Sequence, residues 1–240
     1  MYSMTGRIRY SEVNSEKTLT LQALMDYLQD CCSFQSEDLG IGVDYLAREH
    51  RTWMLGAWQI RLCRMPRMGE TIRVNTWPYD FNGFYGYRGF SAEGEDGEVL
   101  VLANSLWIFM DTDRMRPTRI SEELTAAYRD SFGERPAGGF GERKIALPAE
   151  GERREPVAVA KVFIDTNRHM NNSRYVAVAE EFLPEGFRTG ALRVEYKRAA
   201  VLGDLLYPVV RDEGEKVTIA LTNETGGPYA VVEFLRAAEE

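Results

Sequence analysis

The feature that most constrains this chain is an internal echo. "WQIRLCRMPRMGETIRV" (58–74) lies on "LRVEYKRAAVLGDLLYP" (192–208) with a constant offset of 134 residues. Trp58, Ile60 and Leu62 fall on Leu192, Val194 and Tyr196; Arg64 falls on Arg198, Met68 on Leu202, Gly69 on Gly203 and Glu70 on Asp204. Each copy alternates apolar and polar residues, reaches a Gly-acid turn, and resumes as a strand. A match of this length indicates a duplication. The 240 residues are therefore expected to build two small cores rather than one large one.

The echo extends to helices. "TLTLQALMDYLQDCC" (18–32) places Leu21, Leu24, Met25, Leu28 and Cys32 on one face, with Thr18 or Thr20 as N-cap candidates. In "NNSRYVAVAEEFL" (171–183) the matching stripe is Tyr175, Val178, Ala179 and Phe182, with Asn171 or Asn172 as cap. Strands follow each helix, at roughly 58–64, 70–79, 84–93 and 99–110, then 191–198, 204–211, 215–222 and 228–236. Each half thus reads as a helix wrapped by a curved antiparallel sheet, an α+β architecture. The expected boundaries are 1–120 for the first half, 121–156 for a linker with a short helix, and 157–240 for the second half.

A net charge of −8 argues against a general nucleic-acid binder, which needs a cationic surface. "RLCRMPR", "DRMRPTR" and "YKR" are locally basic all the same. No apolar run long enough to span a membrane occurs, and the first residues contain no apolar signal core. The expected compartment is the cytoplasm. Cys31, Cys32 and Cys63 are odd in number and poorly spaced for a disulfide framework or a zinc site. They read as free thiols, and no metal or cofactor is called for.

The chemistry concentrates in "IDTNRHMNNSRYV" (164–176), which holds one of only two histidines. Asp165, Asn167 and His169 occupy alternate positions just before a helix start. If the segment is extended, all three side chains share one side. Backbone N–H groups near Asn171 to Arg174 would lie at the positive end of the helix and polarise a carbonyl. A carboxylate, an amide and an imidazole together suit carbonyl chemistry. Asp and Asn also precede helices simply because they cap them, so the pattern alone leaves both roles open. No nucleophile elbow, Walker loop, dinucleotide fingerprint or HExxH motif is present.

Four motifs in order, "RTWMLGAWQI", "TWPYDFNGFYGYRGF", "LWIFMDTDRMRPTRI" and "DTNRHMNN", together resemble the acyl-ACP thioesterases of plants and bacteria. The resemblance implies a double hotdog fold, thioester hydrolysis, and acyl carrier protein as partner. It places the family's catalytic Asp, Asn and His on Asp165, Asn167 and His169. Where plant members carry Glu-Cys, "EYKRAA" has Ala199 and Ala200. Glu195 lies nearby on the opposing strand phase and is kept only as a weak candidate. The implied acyl slot is in the first half, with Trp53, Met54, Leu55, Trp58, Phe84 and Tyr85 as candidate lining. The carrier is acidic, so docking is expected on a local cationic surface, with Arg114, Arg116, Arg119, Lys197 and Arg198 as candidates. Two other readings stay open: an acyl-CoA thioesterase of the same fold, and a non-catalytic acyl-binding protein. A fused pair of hotdogs leaves monomer and homodimer equally open.

Overall fold

The computed structural model describes residues 1–137 and 141–238. The chain divides into two compact units, Met1–Gly56 with Leu62–Phe140, and Ala57–Arg61 with Gly141–Glu240. Residues 138–140 of the expected linker and 239–240 of the expected second half lie outside the described residues.

The first unit contains β1 (Tyr2–Arg7), α1 (Leu21–Asp38), α2 (Val43–Arg48), β2 (Arg51–Leu62), β3 (Thr71–Asn82), β4 (Tyr85–Glu93), β5 (Val99–Asp111), β6 (Arg116–Pro117) and α3 (Glu122–Ala127). Its antiparallel sheet runs β1-β3-β4-β5-β2, with β6 on β5. Asn82-Gly83, with Gly83 at φ +65°, turns β3 back into β4. Thr20 caps α1 by accepting from the Ala23 N–H at 3.2 Å, and Leu21, Leu24, Met25, Leu28, Cys31 and Cys32 are buried. They face Ile72, Val74, Phe90, Ala92, Val101 and Ala103, all buried on the strands. Each large apolar side chain buried in this way contributes roughly 1.5–3 kcal/mol. One charge is inside this core. Arg88 donates to the Gln35 side chain and, at 3.1 Å, to Thr76 Oγ1, and lies 5.2 Å over the Tyr128 ring, partners that a buried guanidinium requires.

The second unit contains β7 (Glu152–Arg153), β8 (Val157–Ala158), α4 (Asn172–Glu180), β9 (Thr189–Tyr196), β10 (Leu205–Asp212), β11 (Lys216–Thr222) and β12 (Pro228–Arg236). The order is β9-β12-β11-β10-β7, with β8 also on β10. Tyr175, Val176, Val178 and Ala179 of α4 are buried, as are Leu192, Val194, Ile219, Val232 and Phe234. The middle of β2, Ala57–Arg61, pairs with β9 in a register that is symmetric under the offset of the echo: Trp58 faces Val194, Ile60 faces Leu192, and Gln59 faces its own equivalent, Arg193. The two Gly-acid turns agree as well, with Gly69 at φ +90° and Gly203 at φ +89°.

The linker is fastened to both units. In the first, Trp77 Nε1 donates to the Glu134 carbonyl at 2.6 Å. In the second, Gln59 Nε2 donates to the Gly141 carbonyl at 2.7 Å, and the Ile145 N–H donates to Glu195 Oε2 at 2.9 Å.

Candidate active site

The stretch 164–170 is not extended. Ile164 and Met170 form an antiparallel bridge, and the residues between them fold back as a tight turn. The Asp165 N–H donates to the His169 carbonyl at 2.8 Å, and the Arg168 N–H to the Asp165 carbonyl at 3.0 Å. Asp165 closes the turn from within: its Oδ1 accepts from the Asn167 N–H at 2.8 Å and from the His169 N–H at 3.4 Å. Arg168 adopts left-handed backbone, φ +62°, at a cost of about 1–2 kcal/mol for a residue with a Cβ. Alternation along a strand therefore does not align the three candidates. Asp165 and His169 instead flank the turn from opposite ends, joined by the bond from the Asp165 N–H to the His169 carbonyl. Asn167 sits at its exposed tip. Both of these bonds to the Asp165 carboxylate fall on Oδ1.

The helix end differs from expectation too. Asn171 caps α4, its Oδ1 accepting from the Ser173 N–H and the Ser173 hydroxyl, both at 3.0 Å. The Asn171 N–H donates to the Phe163 carbonyl at 2.8 Å and the Arg174 N–H to the Asn171 carbonyl at 3.0 Å. Three of the four amides expected to polarise a substrate carbonyl are thus engaged inside the protein. The helix dipole still presents its positive end; the cradle of open amides is absent.

The first unit contains a second copy of the turn, which reading the sequence missed. Its offset is 151 residues. Val13 and Leu19 bridge as Ile164 and Met170 do. The Asn14 N–H donates to the Thr18 carbonyl at 2.9 Å and the Lys17 N–H to the Asn14 carbonyl at 3.0 Å. Asn14 Oδ1 accepts from the Glu16 and Thr18 N–H groups at 3.0 and 3.1 Å, and Lys17 is left-handed at φ +63°. A 3₁₀ turn precedes each copy, Tyr10–Glu12 and Lys161–Phe163, and a capped helix follows. Asn14, Glu16 and Thr18 stand where Asp165, Asn167 and His169 stand. The backbone is reproduced without the candidate Asp, Asn and His. Counting back from the two N-caps, Thr20 and Asn171, would have found it.

Ala200, at one place of the family's Glu-Cys pair, accepts the Met170 N–H at 2.8 Å on its carbonyl. Glu195 is buried and committed to the linker face: Oε2 takes the Ile145 N–H, and Oε1 lies 2.7 Å from Lys197 Nζ and 4.0 Å from Arg143.

The acyl-slot candidates separate. Trp53 packs on Phe109 and Phe81, with centroids at 4.7 and 6.2 Å, against the cluster of Ile41, Leu46, Ile120, Leu124 and Tyr128. Phe84 and Tyr85 meet in a tilted pair with ring centroids 4.4 Å apart, beside the β3–β4 turn. Leu55 and Trp58 are buried and Met54 is exposed. The docking candidates also differ. Arg114 pairs with Asp111 at 3.4 Å, Lys197 with Glu195, and Arg198 stacks 4.2 Å over Tyr229; Arg116 and Arg119 are exposed.

Two hotdog units, of which the second carries Asp165, Asn167 and His169 on its turn and the first Asn14, Glu16 and Thr18, define a tandem hotdog protein. Residues 1–128 match the acyl-ACP thioesterase N-terminal domain and residues 148–232 the acyl-ACP thioesterase C-terminal domain. The chain belongs to the acyl-ACP thioesterase family. It is 26% identical over 245 residues to the chloroplastic acyl-[acyl-carrier-protein] hydrolase FATB1 of Cuphea viscosissima, covering 95% of this chain and 56% of that protein. The chain spans about half the length of the curated relatives it matches. In structure it is similar to an acyl-ACP thioesterase from Bacteroides thetaiotaomicron, with TM-score 0.88 and 19% identity over 98% of this chain and 97% of that one. It is likewise similar to the 12:0-ACP thioesterase of Umbellularia californica, with TM-score 0.86 and 18% identity over 99% and 97% of the two chains. At these identities both show the fold.

Proposed function

We propose that the chain hydrolyses the thioester joining a fatty acyl group to acyl carrier protein, releasing the fatty acid and the carrier thiol. The observation that carries this is the turn of the second unit that joins Asp165 to His169 through hydrogen bonds to backbone groups, in a chain whose two halves match the two domains of this family.

Asp165 Oδ2 takes a proton from water as the water oxygen attacks the acyl carbon. His169 orients that water, takes over the proton from Asp165 and hands it to the departing sulfur, which returns both side chains to their starting forms. The leaving thiol needs little acid help, since thiols of cysteine type titrate near about 8.5. Asn167, at the tip of the turn, orients the substrate carbonyl. No cysteine is needed at Ala199 or Ala200 for this sequence of proton transfers.

The acyl chain is assigned to the first unit, beside Trp53 and its aromatic neighbours. Arg116 and Arg119 are assigned to the carrier, aided by Arg114, Lys197 and Arg198 as far as their own partners allow. The cytoplasmic location expected from the sequence is part of this proposal, and cell fractionation tests it. The functional test is a hydrolysis panel of acyl chains of graded length, each presented on acyl carrier protein and on coenzyme A. Faster turnover on the carrier protein is expected. Faster turnover on coenzyme A would replace the proposed partner, and acyl binding with no hydrolysis on either would remove the enzyme reading.

A further inference from the structure

The two copies of the turn permit a comparison inside one molecule. Their shared backbone bonds hold the fold, because the inert copy keeps them. Bonds found only in the second unit are not needed to hold the turn.

One such bond stands out. The Ala200 N–H donates to the Tyr175 hydroxyl at 2.8 Å, and both residues are buried, at 0% and 2% exposure. In the first unit the offset of the turn puts Leu24 at the place of Tyr175, and the strand offset puts Pro66 at the place of Ala200. Leucine has no hydroxyl and proline no N–H, so acceptor and donor are missing together. The neighbouring bond is kept: the Leu19 N–H reaches the Pro66 carbonyl at 2.8 Å, as the Met170 N–H reaches the Ala200 carbonyl at 2.8 Å. A second tyrosine behaves the same way. The Tyr196 hydroxyl donates to the Asn172 carbonyl at 2.9 Å, and its ring meets that of Tyr175 edge-on at 5.6 Å. Its counterpart is Leu62.

We infer that Tyr175 is a positioning residue for the reactive turn. Its hydroxyl fixes the Ala200 amide, the Ala200 carbonyl holds the Met170 N–H, and Met170 is joined to His169. Tyr196 steadies the same corner by holding the first turn of α4. Burial pushes the Tyr175 phenol up to about 12, so it remains a neutral hydroxyl throughout the working pH range. The imidazole is thereby set with a precision that the inert copy, lacking a reactive side chain, does not need.

This inference rests on the hydrolytic function proposed above, so it is tested on whichever thioester, carrier-bound or coenzyme A-bound, the wild-type chain turns over faster. Failure of the carrier assignment then leaves the test of Tyr175 intact. Tyr175→Phe should lower kcat about tenfold or more with KM within twofold, a split that global loosening would not produce. The second variant pairs Tyr175→Leu with Ala200→Pro, reproducing the first unit's arrangement. Compared with Tyr175→Leu alone it should regain melting temperature, because no buried N–H is left unpaired, while kcat stays low. A Tyr175→Phe enzyme with kcat within twofold of wild type would overturn the inference, as would a double variant that regains turnover along with stability.

Discussion

Asp165 uses its two oxygens differently. Oδ1 closes the turn onto two backbone N–H groups; the proposed proton transfer uses Oδ2. Asn14 does the closing job in the first unit without a charge, so the carboxylate at 165 is not required by the backbone. This predicts that His169→Ala, which leaves the Oδ1 bonds untouched, lowers turnover at least about 10²-fold, as steady-state assays will show. Asn14→Ala is the converse test. It removes the side-chain bonds of the inert turn, including that from the Thr18 hydroxyl at 2.9 Å. It should lower stability by about 1 kcal/mol, or about 2–4 °C in melting temperature, with kcat within twofold. The three candidates could be named from the sequence; the turn that carries them could not. Alternation assumes a strand, and a left-handed Arg168 is invisible to a pattern built on hydrophobicity.

At the scale of elements, most strands follow their periodicities, but the strand expected at 58–64 begins earlier, as Arg51–Leu62, and the helix expected over 171–183 ends at Glu180. The strands expected at 204–211 and 215–222 are observed at Leu205–Asp212 and Lys216–Thr222. The expected linker helix is α3, capped by Ser121, which accepts from the Leu124 N–H at 3.1 Å. The short helix α2 was not foreseen: its N-cap is Gly42, which has no side chain to cap with, whereas the equally short α3 is announced by Ser121. The second turn escaped notice because the two copies need different offsets. The first half inserts the longer α1, of 18 residues against 9 in α4, together with α2, between turn and strands. The length of α1 also fixes thiol reactivity. Burial pushes Cys31 up to about 12 and Cys32 up to about 11, while Cys63 is exposed. A thiol reagent at pH 7.5 should therefore label one cysteine per native chain and three after denaturation. Rapid labelling of all three in the native chain would contradict the packing of α1. For the cap, Asn171→Ala should lower stability by about 1 kcal/mol, measured by denaturant unfolding, and should reduce turnover because α4 begins where the reactive turn ends.

For the whole molecule, the duplication was the most legible fact, and the symmetric register of β2 on β9 is its structural expression. The kinship of the two turns was not legible. Their side chains have diverged until only the hydrogen-bond frame is alike. With a net charge of −8, the chain as a whole repels an acidic carrier, and local cations must overcome that repulsion. Carrier-dependent turnover should then weaken as salt rises from 50 to 500 mM, a range over which screening shortens from roughly 14 to 4 Å, while a short acyl-thioester mimic changes little. Equal responses of the two substrates would remove the cationic docking surface from the account. The central claim is that one carboxylate, held in a turn that does not need its charge, drives thioester hydrolysis. Asp165→Asn tests it most directly, because Asn14 shows that the amide holds the same turn. The variant is expected to melt within a few degrees of wild type and to hydrolyse acyl-ACP at least about 10²-fold more slowly; a folded Asp165→Asn protein with near-normal hydrolysis would contradict it.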